Sequence, residues 1–85
     1  MKVSFSKAFL RKVERLDPTQ GRKVLERIAL FSENPLHPLL RNHPLKGTLK
    51  QYRSIDITGD LWALYIQRED EALFDNVGTH SQLYG

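Results

Sequence analysis

Cysteine is absent from the sequence. That excludes disulfides and thiolate metal sites, and it leaves the redox compartment open. No apolar run approaches the roughly 18 residues of a membrane span. Met1-Lys2-Val3-Ser4-Phe5 lacks the long apolar core of a signal peptide, so a cytoplasmic protein with no membrane partner is the default expectation. There is no glycine-rich phosphate loop and no serine-triad signature. The three histidines stand at no metal-ligand spacing such as H-x-x-x-H, so neither a metal nor another cofactor is expected. Repeats and low-complexity segments are missing too.

What remains is one small domain. Its 85 residues suffice for a single core but not for two. The hydrophobic fraction of 40% is spread along the chain among charged residues, which argues for a globular fold. The net charge is +3, but it is unevenly placed. Residues 1–50 carry eleven Lys/Arg and four Asp/Glu; residues 51–85 carry two and six. A basic half attracts polyanions, nucleic acid first among them, and acidic protein partners.

The periodicity divides the chain in two. Val3 and Phe5 alternate with polar residues, a short strand signal. Ser6 then caps a helix over about residues 6–16, with Phe5 and Leu10 at the spacing of a hydrophobic staple. Phe9, Leu10, Val13 and Leu16 form its apolar stripe, and Lys7, Arg11, Lys12 and Arg15 lie largely off it. Asp17-Pro18-Thr19-Gln20 restarts a helix that ends at Asn34-Pro35. The connection is so short that the two helices form an antiparallel hairpin. Residues 35–50 hold three of the four prolines and read as an ordered, irregular loop pinned by Leu36, Leu39, Leu40 and Leu45. From Gln51 onward the period is two. Arg53, Ile55 and Ile57 point one way, and Tyr52, Ser54 and Asp56 point the other. Thr58-Gly59-Asp60 is a turn, Leu61 to Gln67 a strand, Arg68-Glu69-Asp70-Glu71 a turn, and Ala72 to Val77 the last strand. The expected class is α+β: a short N-terminal strand and a two-helix hairpin on one face of a twisted antiparallel sheet.

The opposite sheet face is then free for chemistry. It would carry Tyr52, Ser54 and Asp56, with Asp60 at its edge, His43 entering from the loop and His80 and Tyr84 from beyond the last strand. Histidine titrates near neutrality, with an unperturbed pKa of about 6.5, so it can move protons at working pH. RNA brings its own nucleophile, the 2′-hydroxyl, and an aromatic ring can stack a base. Read alone, His43 serves equally well as a loop histidine bonded to a backbone carbonyl, and Asp60 as an ordinary turn aspartate. His37, between prolines, has no assigned role.

Four blocks carry a family resemblance: Asn42-His43-Pro44-Leu45-Lys46-Gly47, Tyr52-Arg53, Asp60-Leu61-Trp62-Ala63-Leu64-Tyr65, and Gly78-Thr79-His80-Ser81-Gln82-Leu83-Tyr84. In order and spacing they resemble the YafQ branch of the RelE/ParE toxin superfamily. The resemblance implies the toxin of a type II toxin–antitoxin pair, an endoribonuclease that cuts mRNA on the translating ribosome. By position it makes His43 a catalytic acid–base residue or phosphate contact, Asp60 a catalytic carboxylate, and His80 the leading general base or acid. Tyr84 takes the place of an aromatic that packs on the substrate base. Asp56 stands where the pattern has a histidine. An anion there would repel a phosphate, yet it would also favour a charged imidazole nearby.

On this reading Arg53, Lys46 and Lys50 are the candidates to stabilise developing phosphate charge. Lys7, Arg11, Lys12 and Arg15, with Arg22, Lys23 and Arg27, would contact ribosomal RNA. The expected protein partner is an acidic antitoxin, with operator DNA reached only through it. Two alternatives stay open: a non-nucleolytic toxin like the ParE branch, and a degenerate toxin kept as an antitoxin-binding module.

Overall fold

A computed structural model describes residues 1–85. The elements run β1 (Lys2–Phe5), α1 (Lys7–Arg15), α2 (Pro18–Glu33), β2 (His43–Pro44), β3 (Arg53–Thr58), β4 (Leu61–Arg68), β5 (Glu71–Gly78) and α3 (His80–Tyr84). Two 3₁₀ turns, Pro38–Leu40 and Gly47–Leu49, flank β2.

Side-chain caps start the helices where the sequence predicts. Ser6 Oγ accepts from the Phe9 amide at 3.1 Å, and Asp17 Oδ1 accepts from the Gln20 amide at 2.9 Å. Each satisfies one of the donors that a helix leaves free at its N-terminus. Pro18 occupies the first turn of α2, and the helix stops at Asn34, before Pro35. The staple differs from expectation. Phe5 stacks on Phe9, with ring centroids 5.6 Å apart, and Leu10 faces water. The aromatic partner offers the larger buried area, so it captures Phe5.

The sheet has the order β1-β5-β4-β3-β2. β2 to β5 are antiparallel neighbours in that order, as the meander predicts. The sheet as a whole is mixed, however, because β1 runs parallel to β5, pairing Lys2 with Glu71 through Phe5 with Phe74. The core lies between the sheet and the helical layer. Phe9, Val24, Ile28 and Phe31 from the helices meet Ile55, Ile57, Leu61, Ala63, Tyr65, Ala72, Phe74 and Val77 from the strands. Phe31 meets both Tyr65 and Phe74 edge to face. The alternation of Ile55 and Ile57 with polar neighbours is thus the alternation between the helix side of the sheet and the other side. Ser54, expected on the free face, is on that other side but fully buried.

The proline-rich segment is anchored more sparsely than expected. Leu40 is fully buried and Leu45 half-buried, whereas Leu36 and Leu39 remain 74% and 57% exposed. The turn at Pro38–Leu40 directs one leucine inward and leaves the others outside. Two bulges interrupt the antiparallel register. One residue, Ile57, is extra between Asp56 and Thr58, and Asp75 is extra opposite the Leu64–Tyr65 step. Bulges of this kind bend a strand and re-aim the extra side chain. No helix is long and apolar enough to cross a membrane.

Candidate active site

Residues out of phase with the core form the face turned away from the helices. The register aligns them in rows. His43 pairs with Ser54 and Ser54 with Leu64; Asp56 pairs with Trp62, and Trp62 with Gly78. Residues directly opposite in antiparallel strands share a face, so His43, Ser54, Asp56 and Trp62 belong to the same surface.

At the β2 edge, His43 is exposed and its Nδ1 bonds to the Arg41 carbonyl at 2.8 Å. A carbonyl only accepts, so Nδ1 carries the hydrogen. The neutral ring then holds its lone pair on Nε2, the nitrogen turned away from that carbonyl. Beside it, Arg41 Nε lies 3.6 Å from Asp56 Oδ2. Arg41 is 79% exposed and Asp56 23%, so one partner is open to solvent and the pair contributes about 1 kcal/mol or less.

At the other end, a short helix presents the second imidazole. Thr79 Oγ1 accepts from the Gln82 amide, and Gln82 Oε1 accepts from the Thr79 amide at 2.9 Å, a reciprocal capping box that starts α3. Leu83 is buried and ties the helix down. His80 and Tyr84 lie one turn apart, ring centroids 4.7 Å from each other, and the Trp62 indole meets His80 edge to face at 6.2 Å. Both His80 and Tyr84 remain exposed.

The two imidazoles therefore stand on one face without touching. β2 and β5 are three strand positions apart, about 14 Å between backbones at the usual spacing. Asp60 sits exposed in the β3–β4 turn, where its amide and Oδ1 both bond to the Thr58 hydroxyl, at 3.4 and 3.3 Å. Its hydrogen bonds hold the turn and reach neither histidine. Lys46 and Lys50 are exposed on either side of the second 3₁₀ turn.

Two expected cations are elsewhere. Arg53 shares the phase of Ile55 and Ile57, so it points to the helix side of the sheet. Its Nε donates to Asn42 Oδ1 at 2.9 Å, and it lines a cavity of about 550 Å³ with Pro35, Leu36, Tyr65 and Gln67. It therefore lies away from the open face, where the sequence predicts it beside the phosphate. Lys12 is half-buried and donates to Asn76 Oδ1, so it is not a free surface charge. Lys7, Arg11 and Arg15 are exposed along α1 as predicted. Lys12 and Arg15 share a cavity of about 290 Å³ with Gln82 of α3, so the basic helix reaches the helix that carries His80.

Sequence reasoning missed Arg41, Trp62 and the Tyr52–Asp75 pair. Trp62 was legible, because its phase matches Leu64 and Ile66 rather than the core. Tyr52 donates to Asp75 Oδ2 at 2.7 Å. That bond, then burial and the Asp75 charge, raise the phenol above its ordinary value. The Arg41 and Asp75 placements depend on a loop and a bulge. No group of three or more His, Asp or Glu side chains gathers in a metal-holding arrangement.

The chain resembles known proteins over its full length. Residues 1–85 match the family described as a bacterial toxin of the type II toxin–antitoxin system, YafQ. The mRNA interferase toxin YafQ of Escherichia coli K12 is 34% identical over 64 residues, covering 74% of this chain and 68% of that protein. The crystal structure of YafQ from E. coli BL21(DE3) shares the fold, with a TM-score of 0.83 at 24% identity over 99% of this chain and 98% of that one. The YafQ chain of the E. coli DinJ–YafQ complex superposes with a TM-score of 0.67 at 25% identity, over 99% of this chain and 98% of its own. This chain belongs to the YafQ family of toxins of type II toxin–antitoxin systems.

Proposed function

We propose that this toxin is a ribosome-dependent mRNA interferase working by metal-independent acid–base catalysis. The observation that carries this is the pair of exposed imidazoles, His43 and His80, on one open sheet face, with Trp62 and Tyr84 beside the second. The curated relatives are named mRNA interferases, which supports the same assignment.

In the reaction, the 2′-oxygen attacks the adjacent phosphorus, an O2′–P bond forms and the P–O5′ bond breaks. One imidazole takes the 2′ proton and another acid protonates the departing 5′-oxygen. His80 is the leading base or acid, and His43 either completes the pair through Nε2 or holds a phosphate. The products carry a 2′,3′-cyclic phosphate, or the 3′-phosphate formed when water opens it, and a 5′-hydroxyl. Tyr84 packs on a substrate base, and Asp60 contributes a carboxylate at the rim. Trp62 keeps the His80 ring upright by its edge-to-face contact. Lys46 and Lys50 serve the phosphate backbone, and Lys7, Arg11 and Arg15 meet ribosomal RNA. Binding to RNA then weakens steeply with salt.

The partner is an acidic antitoxin that covers the basic surface, and operator DNA is reached only through it; that a similar toxin is found in a DinJ–YafQ complex supports an antitoxin partner. Acting on mRNA at the ribosome requires a cytoplasmic location. The deciding experiment is induced expression followed by mapping of mRNA 5′ ends, in wild type and His80→Ala. New 5′ ends that vanish in the variant support the assignment. Intact mRNA with DNA-damage signalling would instead favour a ParE-like toxin. Asp56 favours a second reading, a degenerate toxin kept for complex formation, whose mark is intact mRNA with a tight antitoxin complex.

A further inference from the structure

A face built to handle phosphates needs a cation on it. The arginine that the sequence offers, Arg53, lies behind the sheet with Asn42. We propose that Arg41 is the phosphate ligand of the open face, and that Asp56 is its positioning residue. The proposal rests on the mRNA-interferase reading above and names a further binding residue for it.

Three observations converge on Arg41. Its guanidinium reaches Asp56, which pairs with Trp62 on the open face, in the row that ends near His80. Its backbone carbonyl holds His43 Nδ1 at 2.8 Å, so one residue sets both an imidazole and a cation. Its backbone is fixed while its head is free. Arg41 ends the 3₁₀ turn with φ 47°, its amide donating to the Pro38 carbonyl at 3.3 Å, directly after the fully buried Leu40. The side chain is 79% exposed and donates no hydrogen bond within the protein.

The chemistry fits a phosphate. Arginine presents a planar fork that binds two phosphate oxygens at once. Nε lies 3.6 Å from Asp56, and the Nη donors make no hydrogen bond within the protein, which leaves them available. The partly exposed, 3.6 Å pair is weak enough to yield to a phosphodiester anion, and strong enough to bias the side chain toward the open face. Asp56 alone would repel RNA; paired with Arg41 its charge is offset. Arg41 then sits between Asp56 and an incoming phosphate, two residues before the His43 whose Nδ1 its carbonyl holds.

The test uses Arg41→Asn, because asparagine tolerates the left-handed backbone at this position. If that variant fails to fold, Arg41→Gly replaces it, since glycine carries no Cβ penalty there. Two readouts are taken: mRNA cleavage on ribosomes, and the salt dependence of binding to a 2′-O-methyl RNA oligonucleotide, which cannot be cut. Loss of one phosphate contact lowers the slope of log K against log salt by about 0.7 for a single strand. The expected result is that fall, with at least a tenfold loss of cleavage. Arg41→Lys should keep the slope and recover part of the rate. Asp56→Asn should keep the slope and change the rate, because it alters where Arg41 points and not its charge. A merely structural Arg41 would leave the slope untouched. Wild-type slope and wild-type cleavage in Arg41→Asn overturn the proposal, as does a wild-type protein with no affinity for the oligonucleotide. If wild type binds with an Arg41-dependent slope yet cuts no mRNA, the interferase reading fails and the phosphate site stands.

Discussion

Tyr52 and Asp75 are joined over the open face by a 2.7 Å hydrogen bond from the phenol to Oδ2. The bond exists because Asp75 is the extra residue of a bulge in β5, which re-aims its side chain. It ties the approach to β3 directly to β5 and spans the strand between. The hydrogen bond to Asp75 raises the Tyr52 pKa first, with burial and the Asp75 charge adding to it. The folded value is above the unfolded one, near 10.0, so the contribution is complete below that pH. It is lost as pH rises through the higher folded value. We expect Tyr52→Phe to cost about 1 kcal/mol at neutral pH. In the alkaline range above about pH 10, urea midpoints of wild type should fall toward those of the variant. A constant gap between the two up to pH 11.5 would remove this bond from the account.

Ser54 is the reverse case. Its hydroxyl is fully buried and has no hydrogen-bond partner. Burying an unpaired hydroxyl costs free energy, and alanine in its place removes the polar atom with little loss of volume. Ser54→Ala should raise stability by about 1 kcal/mol, read as a higher urea midpoint with an unchanged m-value. A lower midpoint would show that the hydroxyl has a partner in solution.

Gly78 is closed to larger residues by the helix that follows it. A Cβ there would lie 2.8 Å from Gln82 Oε1 and 3.2 Å from Gln82 Cβ. Gln82 Oε1 is the atom that caps the Thr79 amide. Gly78→Ala must push that side chain away, opening the capping box and shifting His80. We expect cleavage to fall about tenfold or more for a stability loss near 1 kcal/mol, the usual cost of a lost cap. Thr79→Ala should behave alike. Full activity in both variants would mean that α3 does not need its cap to place His80.

His80 and Trp62 should separate chemistry from packing. Loss of a general acid or base costs about 10²- to 10⁴-fold. His80→Ala should therefore lose at least a hundredfold in cleavage with an unchanged melting temperature, because the ring is exposed. Trp62→Leu keeps an apolar side chain beneath His80 but removes the ring contact. A fall of about tenfold is expected there, from a less well oriented imidazole. Circular dichroism and single-turnover cleavage check both; a His80→Ala enzyme of normal rate refutes its role.

The sequence by itself determined the layers and their faces. Ser6, Asp17 and Pro18 start the helices by local hydrogen bonds, and the period-two run from Tyr52 puts Ile55 and Ile57 in the core. Such signals are local, since each depends on residues within a few positions, so they survive without knowledge of the rest of the chain. The same parity already placed Arg53 with the core residues, and it lies on the helix side of the sheet beside Asn42. What tertiary structure alone decided is where non-local partners meet. β1 lies parallel to β5 because both edges of aromatic core, Phe5 and Phe74, close on Phe9. Arg41 faces Asp56 because a loop in the left-handed conformation turns back toward β3, and Asp75 finds Tyr52 because a bulge shifts the register by one. His43 and His80 come to share a face but stay strands apart, since sheet order, not sequence spacing, sets the distance between them.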